Sequence, residues 1–247
     1  MQFIWFNQKL SKLSLSFLAL NNGYQYENLV ENKFQVAYLQ TIGTYGKWDA
    51  SKFYGDFGLY AQTGEATITN DKVAVGAYYA EFNLGYKFTN PFKAELGFEY
   101  LSGKDQNDTD TKVKSFTPLF GTNHGFNGLM DYFYVGNHKN SVGLQDFYTK
   151  FIYDKNKWQV TFAPHLFYSA ASVYNMTTLE EQDSYLGTEI DLTATYKMDK
   201  NFVISGGVSK MFASDTMEIL KGGNNNNCNN WAWVMVTFNP QLFTYKN

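Results

Sequence analysis

Residues 79–88 read YAEFNLGYKF. Ala80, Phe82, Leu84, Tyr86 and Phe88 alternate with Tyr79, Glu81, Asn83, Gly85 and Lys87, so an extended segment here has one apolar and one polar face. The same period recurs along the chain. Leu13, Leu15, Phe17 and Ala19 oppose Lys12, Ser14 and Ser16, and Ala94, Leu96, Phe98 and Tyr100 oppose Glu95, Gly97 and Glu99. Trp158, Val160, Phe162 and Leu166 oppose Gln159, Thr161 and His165, and Ile190, Leu192, Ala194 and Tyr196 oppose Glu189, Asp191 and Thr193. A helical period fits none of these windows, and β-branched and aromatic residues fill them. The pattern predicts eleven strands, at 2–8, 12–20, 34–45, 51–62, 73–88, 92–103, 143–153, 157–169, 185–197, 201–213 and 229–239.

The connections sort by length. Five are tight, near 9–11, 46–50, 89–91, 154–156 and 199–200; five are long and polar, at 21–33, 63–72, 104–142, 170–184 and 214–228. Short and long alternate, as the periplasmic turns and external loops of an outer-membrane barrel do. A soluble sandwich, whose Greek-key connections vary at both ends, has no reason to follow that rule. The expected fold is therefore all-β: an antiparallel, up-and-down transmembrane β-barrel forming one domain over 1–247. Its oily faces meet lipid and its polar faces line a lumen. Aromatic residues near the strand ends (Trp5, Phe6, Tyr45, Trp48, Phe88, Phe92, Tyr153, Trp158, Trp231 and Trp233) are expected to form interfacial girdles.

Composition narrows the function. Charged residues make up 17% of the chain, against a usual ~25%, and aromatics 19%. The net charge of −3 gives no basic face for nucleic acid. The single cysteine, Cys228, lies in an asparagine run and can build no intrachain disulfide. No stretch approaches the apolar length of a membrane helix, and the start lacks a secretory signal pattern. Eleven strands with an external amino terminus break the even-numbered plan of single-chain barrels. The expectation is an incomplete fragment of a larger barrel, with upstream strands and signal peptide absent from this chain.

Several stretches, MQFIWFNQKLSKLSLSFLALNNG (1–23), GFEYLSG (97–103), FTPLFGTNHGFNGLMDYF (116–133), GLQDFY (143–148), LGTEIDLTATYKMDKN (186–201) and WAWVMVTFNPQLF (231–243), together resemble the alginate-export family of outer-membrane barrels. The resemblance implies the carboxy-terminal part of a monomeric bacterial outer-membrane channel that passes an anionic polysaccharide, with lipid as its surroundings. It implies no cofactor and no chemistry.

Facing the lumen are Lys12, Asp56, Glu81, Lys87, Glu95, Glu99, Asp146, Lys150, His165, Glu189, Asp191 and Lys197. Acids outnumber lysines here, and a pore selects by the sign of the charges that ring it. This departs from the electropositive lumen of the family and suits a porin for neutral or cationic solutes, the alternative reading. Lys87 is placed to partner Glu95 or Glu99. The 104–142 loop either folds into the mouth as a constriction carrying Lys112, Lys114, His124, Asp131 and Lys139, or forms an external lid braced by Phe116, Phe120, Phe126 and Tyr132. A hydrolase triad of Ser115, His124 and Asp131 lacks a nucleophile motif. The three histidines have no metal-ligand spacing. A plugged scaffold or adhesin is the remaining class.

Overall fold

The computed structural model describes residues 1–88, 90–121, 127–138, 141–241 and 243. Eleven strands form one antiparallel sheet in sequence order: β1 (Gln2–Leu10), β2 (Leu13–Asn28), β3 (Lys33–Ala50), β4 (Phe53–Ile68), β5 (Asp71–Lys87), β6 (Phe92–Leu101), β7 (Leu144–Lys155), β8 (Trp158–Tyr168), β9 (Tyr185–Lys197), β10 (Phe202–Ala213) and β11 (Asn229–Phe238). Each strand pairs with its neighbour in the chain, and the sheet is open, with β1 and β11 at its edges. Both edge strands are exposed along nearly their whole length.

At one end of the sheet every connection is tight, including Ser11–Lys12, Ser51–Lys52 and Asn156–Lys157. The other end departs from expectation. Residues 21–33 and 63–72 are not long loops: β2, β3, β4 and β5 run on through them to lengths of 16, 18, 16 and 17 residues. Thr69 and Asn70 alone join β4 to β5, with φ of 47° and 68°, the paired positive values a two-residue hairpin turn needs. These strands exceed the nine residues of β1 and ten of β6, so two hairpins project by roughly 20 Å at ~3.4 Å per residue. The 214–228 segment is not a plain loop either. It holds a helix, α1 (Asp215–Lys221), whose Ser214 side chain accepts from the Met217 amide and whose Met217 is buried.

Alternation gives the sheet two unlike faces. The bare face carries Phe17, Ile42, Leu59, Phe82, Leu96, Phe151, Phe162, Leu192, Val208 and Val234, all exposed. Aromatic pairs bound it near the tight turns: Phe53–Tyr86, Phe92–Tyr153, Trp158–Tyr196 and Phe202–Phe238. Stacked Tyr78–Tyr100 and tilted Tyr168–Tyr185 bound the opposite end. Trp5, Tyr45, Trp231 and Trp233 fall instead on the other face, because the ladder register sets them opposite Leu18, Gly58, Ser209 and Gly207.

That other, covered face receives the described residues of the connection between β6 and β7. Val113 extends the exposed edge of β5 beyond the end of β6, exchanging backbone hydrogen bonds with Ala74 and Gly76. Phe116 packs on Tyr79 and Phe133 on Phe167. With Leu39, Val75, Leu101, Leu144, Leu186, Met211 and Met217 they make the buried core. The core therefore lies between sheet and connection, not between two sheets.

Candidate functional site

Ladder pairing lays the covered face out in rows across the strands, and the rows change character along the sheet. Nearest the tight turns run Asp49, Tyr54, Gly85, Glu95 and Lys150. Next come Lys47, Asp56, Asn83, Gly97, Tyr148, His165 and Glu189, then Tyr45, Gly58, Glu81, Glu99, Asp146 and Phe167. Beyond these the face turns apolar, with Tyr60, Tyr79, Leu101 and Leu144 in one row and Leu39 and Val75 further on. The polar half carries charged and hydrogen-bonding side chains; the apolar half is covered by described residues of the β6–β7 connection.

The third row sets Glu81, Glu99 and Asp146 side by side on adjacent strands, an arrangement in which like charges destabilise one another. The surroundings answer with donors. Tyr79 Oη donates to Glu81 at 3.0 Å. Asn127, from the connection, donates through Nδ2 to Glu99 at 2.7 Å and to Asp146 at 3.3 Å. His165 Nδ1 meets both Asp146 oxygens at 3.0 and 2.9 Å. Ser209 Oγ donates to Asp191 at 2.5 Å, and Tyr148 Oη to Asn83, which in turn donates to Asp56 at 2.8 Å.

Glu189 is fully buried. Its Oε1 accepts the backbone amides of Leu129 at 2.6 Å and Met130 at 2.9 Å. Gly128, at φ 78°, turns the chain so that both amides point at the carboxylate, and a Cβ there would collide with Glu189. Short polar contacts to a charged acceptor are the stronger kind, so residues 127–130 are clamped onto the covered face at Glu99, Asp146 and Glu189. Strand-period reasoning missed Asn127, Leu129 and Met130. Two of the three act through the main chain, which leaves no side-chain signal.

The remaining sequence-assigned residues fall as follows. Asp56, Glu81, Lys87, Glu95, Glu99, Asp146, Lys150, His165, Glu189 and Asp191 lie on the covered face in the rows above or beside them. Lys12 does not: it sits exposed in the tight turn between β1 and β2. Lys197 ends β9, also exposed. Lys87 pairs with Asp49 at 2.7 Å, not with Glu95 or Glu99; the partner of Glu95 is Lys150, at 3.4 Å. Lys114 is held within its own loop by Asp108 at 2.6 Å and Asp110 at 3.6 Å. Lys112 covers Gly76 on the bare face of β5, and Asp131 is half-buried. His124, Lys139 and Phe126 lie outside the described residues. Ser115 is buried. Phe116 and Tyr132 pack as a brace, but Phe120 does not: it is 72% exposed, because the chain turns outward there at positive φ. Among the described residues no cluster of His, Cys, Asp and Glu could hold a metal ion.

The connection also carries a buried histidine. His138 is buried with Nε2 on the Phe133 carbonyl at 3.0 Å, and burial, with Lys221 nearby, pushes its pKa down to about 4. Its folded pKa lies below the unfolded value of ~6.5, so neutral His138 contributes stability above that pH and loses it as pH falls toward 4. Two and a half pK units correspond to on the order of 3 kcal/mol. Amide exchange in residues 127–138 should therefore accelerate between pH 6.5 and 4, after correction for intrinsic rates, and a His138→Phe variant should flatten that dependence. An unchanged pH profile in the variant would show that other groups govern the cap.

No family model matches this chain, and no curated protein does. Among solved structures the chain is similar to the NanC porin in its rhombohedral crystal form, at 10% identity over 96% of this chain and 98% of that one, with a TM-score of 0.43. At that score the likeness bears no weight for function.

Proposed function

We propose that this chain forms wall of an outer-membrane β-barrel channel for polar solutes, with the covered face as lumen and the β6–β7 connection as its constriction. The observation that carries the reading is the bare face. Its apolar side chains form a band crossing all eleven strands, about 50 Å wide at ~4.8 Å per strand and about 25 Å tall. That is larger than the few hundred Å² a water-facing monomer exposes, and its height is that of the lipid-facing band of outer-membrane barrels. Aromatic pairs border it at both levels, and every strand carboxylate between those levels points to the covered face. Among the described residues one lysine lies on the band, Lys210, over Phe212 at 4.8 Å. An unsealed edge is untenable in lipid, so β1 and β11 are closed by further pairing in the working barrel.

The solute follows from the charge rows. Asp56, Glu81, Glu99, Glu189 and Asp191 have no lysine ion pair among the described residues, whereas Lys87, Lys93 and Lys150 each have an acid. Such a wall favours cations and neutral solutes and opposes a polyuronate, so passage of an alginate-like polyanion is the weaker of the two readings. The test is reversal potential across a planar bilayer under a salt gradient. The expected result is a clear cation preference; anion preference sinks the solute assignment, and absence of any conductance sinks the channel.

A further inference from the structure

A cavity of about 180 Å³ lies on the covered face directly beneath the clamped segment. Gly128 and Leu129 roof it; Tyr148, Lys150, Thr161, His165, Asp191 and Thr193 line its wall. We propose that this cavity is a subsite for one neutral sugar ring at the constriction, an assignment that rests on the channel reading above and names its solute. The volume is small beside the several hundred Å³ of drug-sized ligand sites, so it suits a single ring rather than a chain.

The polar groups specify hydroxyls. Asp146 holds His165 by Nδ1, which fixes the ring and leaves Nε2 on the side of Asp191. Nε2 stands 4.0 Å from Asp191 Oδ2, too far for a hydrogen bond. Ser209 donates to the other Asp191 oxygen, Oδ1. Two polar groups at that spacing, side by side on a cavity wall, match two neighbouring hydroxyls of a sugar, which both donate and accept. Thr161 and Thr193 face each other across the β8–β9 ladder and can both donate and accept. Lys150, over the Tyr148 ring at 4.6 Å, adds a donor. A mixed set of donors and acceptors fits hydroxyls, which do both. A uronate carboxyl would meet Asp191 with Asp146 behind it, and an ammonium would meet Lys150.

The test is calorimetric titration of the full chain, folded in detergent micelles, with maltotriose and with trigalacturonate of matched length. A nearly isosteric double variant, Thr161→Val with Thr193→Val, removes two hydroxyls and no charge. Maltotriose should bind the wild type, more tightly than trigalacturonate, and the double variant should bind it ten- to thirtyfold more weakly, as loss of two ordinary hydrogen bonds predicts. Absent maltotriose binding, tighter trigalacturonate binding, or equal affinity in the double variant overturns the proposal. Bilayer recordings from the same preparation separate the two readings. A conducting protein that binds no maltotriose loses the subsite and keeps the channel; a binding protein that never conducts keeps the subsite and loses the channel.

Discussion

Replacing Glu189 with alanine should unseat residues 127–130 and raise single-channel conductance severalfold. Glu189 supplies the acceptor for two backbone amides, Leu129 and Met130, and hydrogen bonds to a charged group are worth about 1.5–3 kcal/mol each. Their loss removes roughly 3–6 kcal/mol of docking, reduced by whatever it costs to keep the unpartnered Oε2 buried. Asn127 remains on Glu99 and Asp146, but it is one amide where there were three. Glu189→Gln keeps a carbonyl acceptor and should lose about half as much, since neutral acceptors are about half as strong. Glu65→Ala serves as the control: Glu65 pairs with Lys72 at 3.0 Å with both side chains about 40% exposed, and such pairs contribute at most ~1 kcal/mol. Limited proteolysis within residues 127–138 should rise in step with conductance. If Glu189→Ala leaves both at wild-type levels, the connection is held by its apolar packing alone and the clamp is irrelevant.

Leu96→Arg should cripple insertion into lipid while leaving a detergent-free, water-soluble fold untroubled if one existed. Leu96 is 61% exposed, midway along β6 between Phe92 and Tyr100 on the bare face. On a surface facing water, such a change stays within about 0.5 kcal/mol. At the midplane of a bilayer an arginine costs about 2–4 kcal/mol. Urea titration of the protein folded into vesicles gives the number directly. Glu65→Arg, four residues outside the band on β4, should cost little by the same measurement. Equal, small effects at both positions would mean that the apolar band meets protein or water rather than lipid.

The period-two pattern made the eleven strands legible because each buries nothing on one side: an outward Phe82 or Leu96 beside an inward Asn83 or Glu95 leaves no ambiguity. The pattern failed where a strand leaves the apolar band. In β2, Asn21, Asn22, Gly23 and Gln25 are polar on both faces, yet they pair residue for residue with β3. In β4, Thr63, Gly64 and Glu65 do the same with β5. Backbone pairing continues without a hydrophobic reason, and the Thr69–Asn70 turn carries neither glycine nor proline. For α1 the signals were present: a serine cap, Asp215 and Glu218 early, Lys221 late and Gly222 at the end. The acids of the site were readable as inward charges. Their arrangement was not, because cross-strand register decides that Glu81, Glu99 and Asp146 are neighbours, and register is a property of the ladder.

Three inward tyrosines lie against glycines on the adjacent strand: Tyr60 on Gly43, Tyr54 on Gly85 and Tyr148 on Gly97, where any Cβ would overlap the ring. Each pair is thus a single unit written in two places in the chain. Over evolutionary time neither member can drift alone: a side chain gained at the glycine must coincide with loss of the ring, or with its rotation out into the lumen. These positions should co-vary between β3–β4, β4–β5 and β6–β7 in related chains, and a lineage that breaks one pair will have changed the width of its pore at that row.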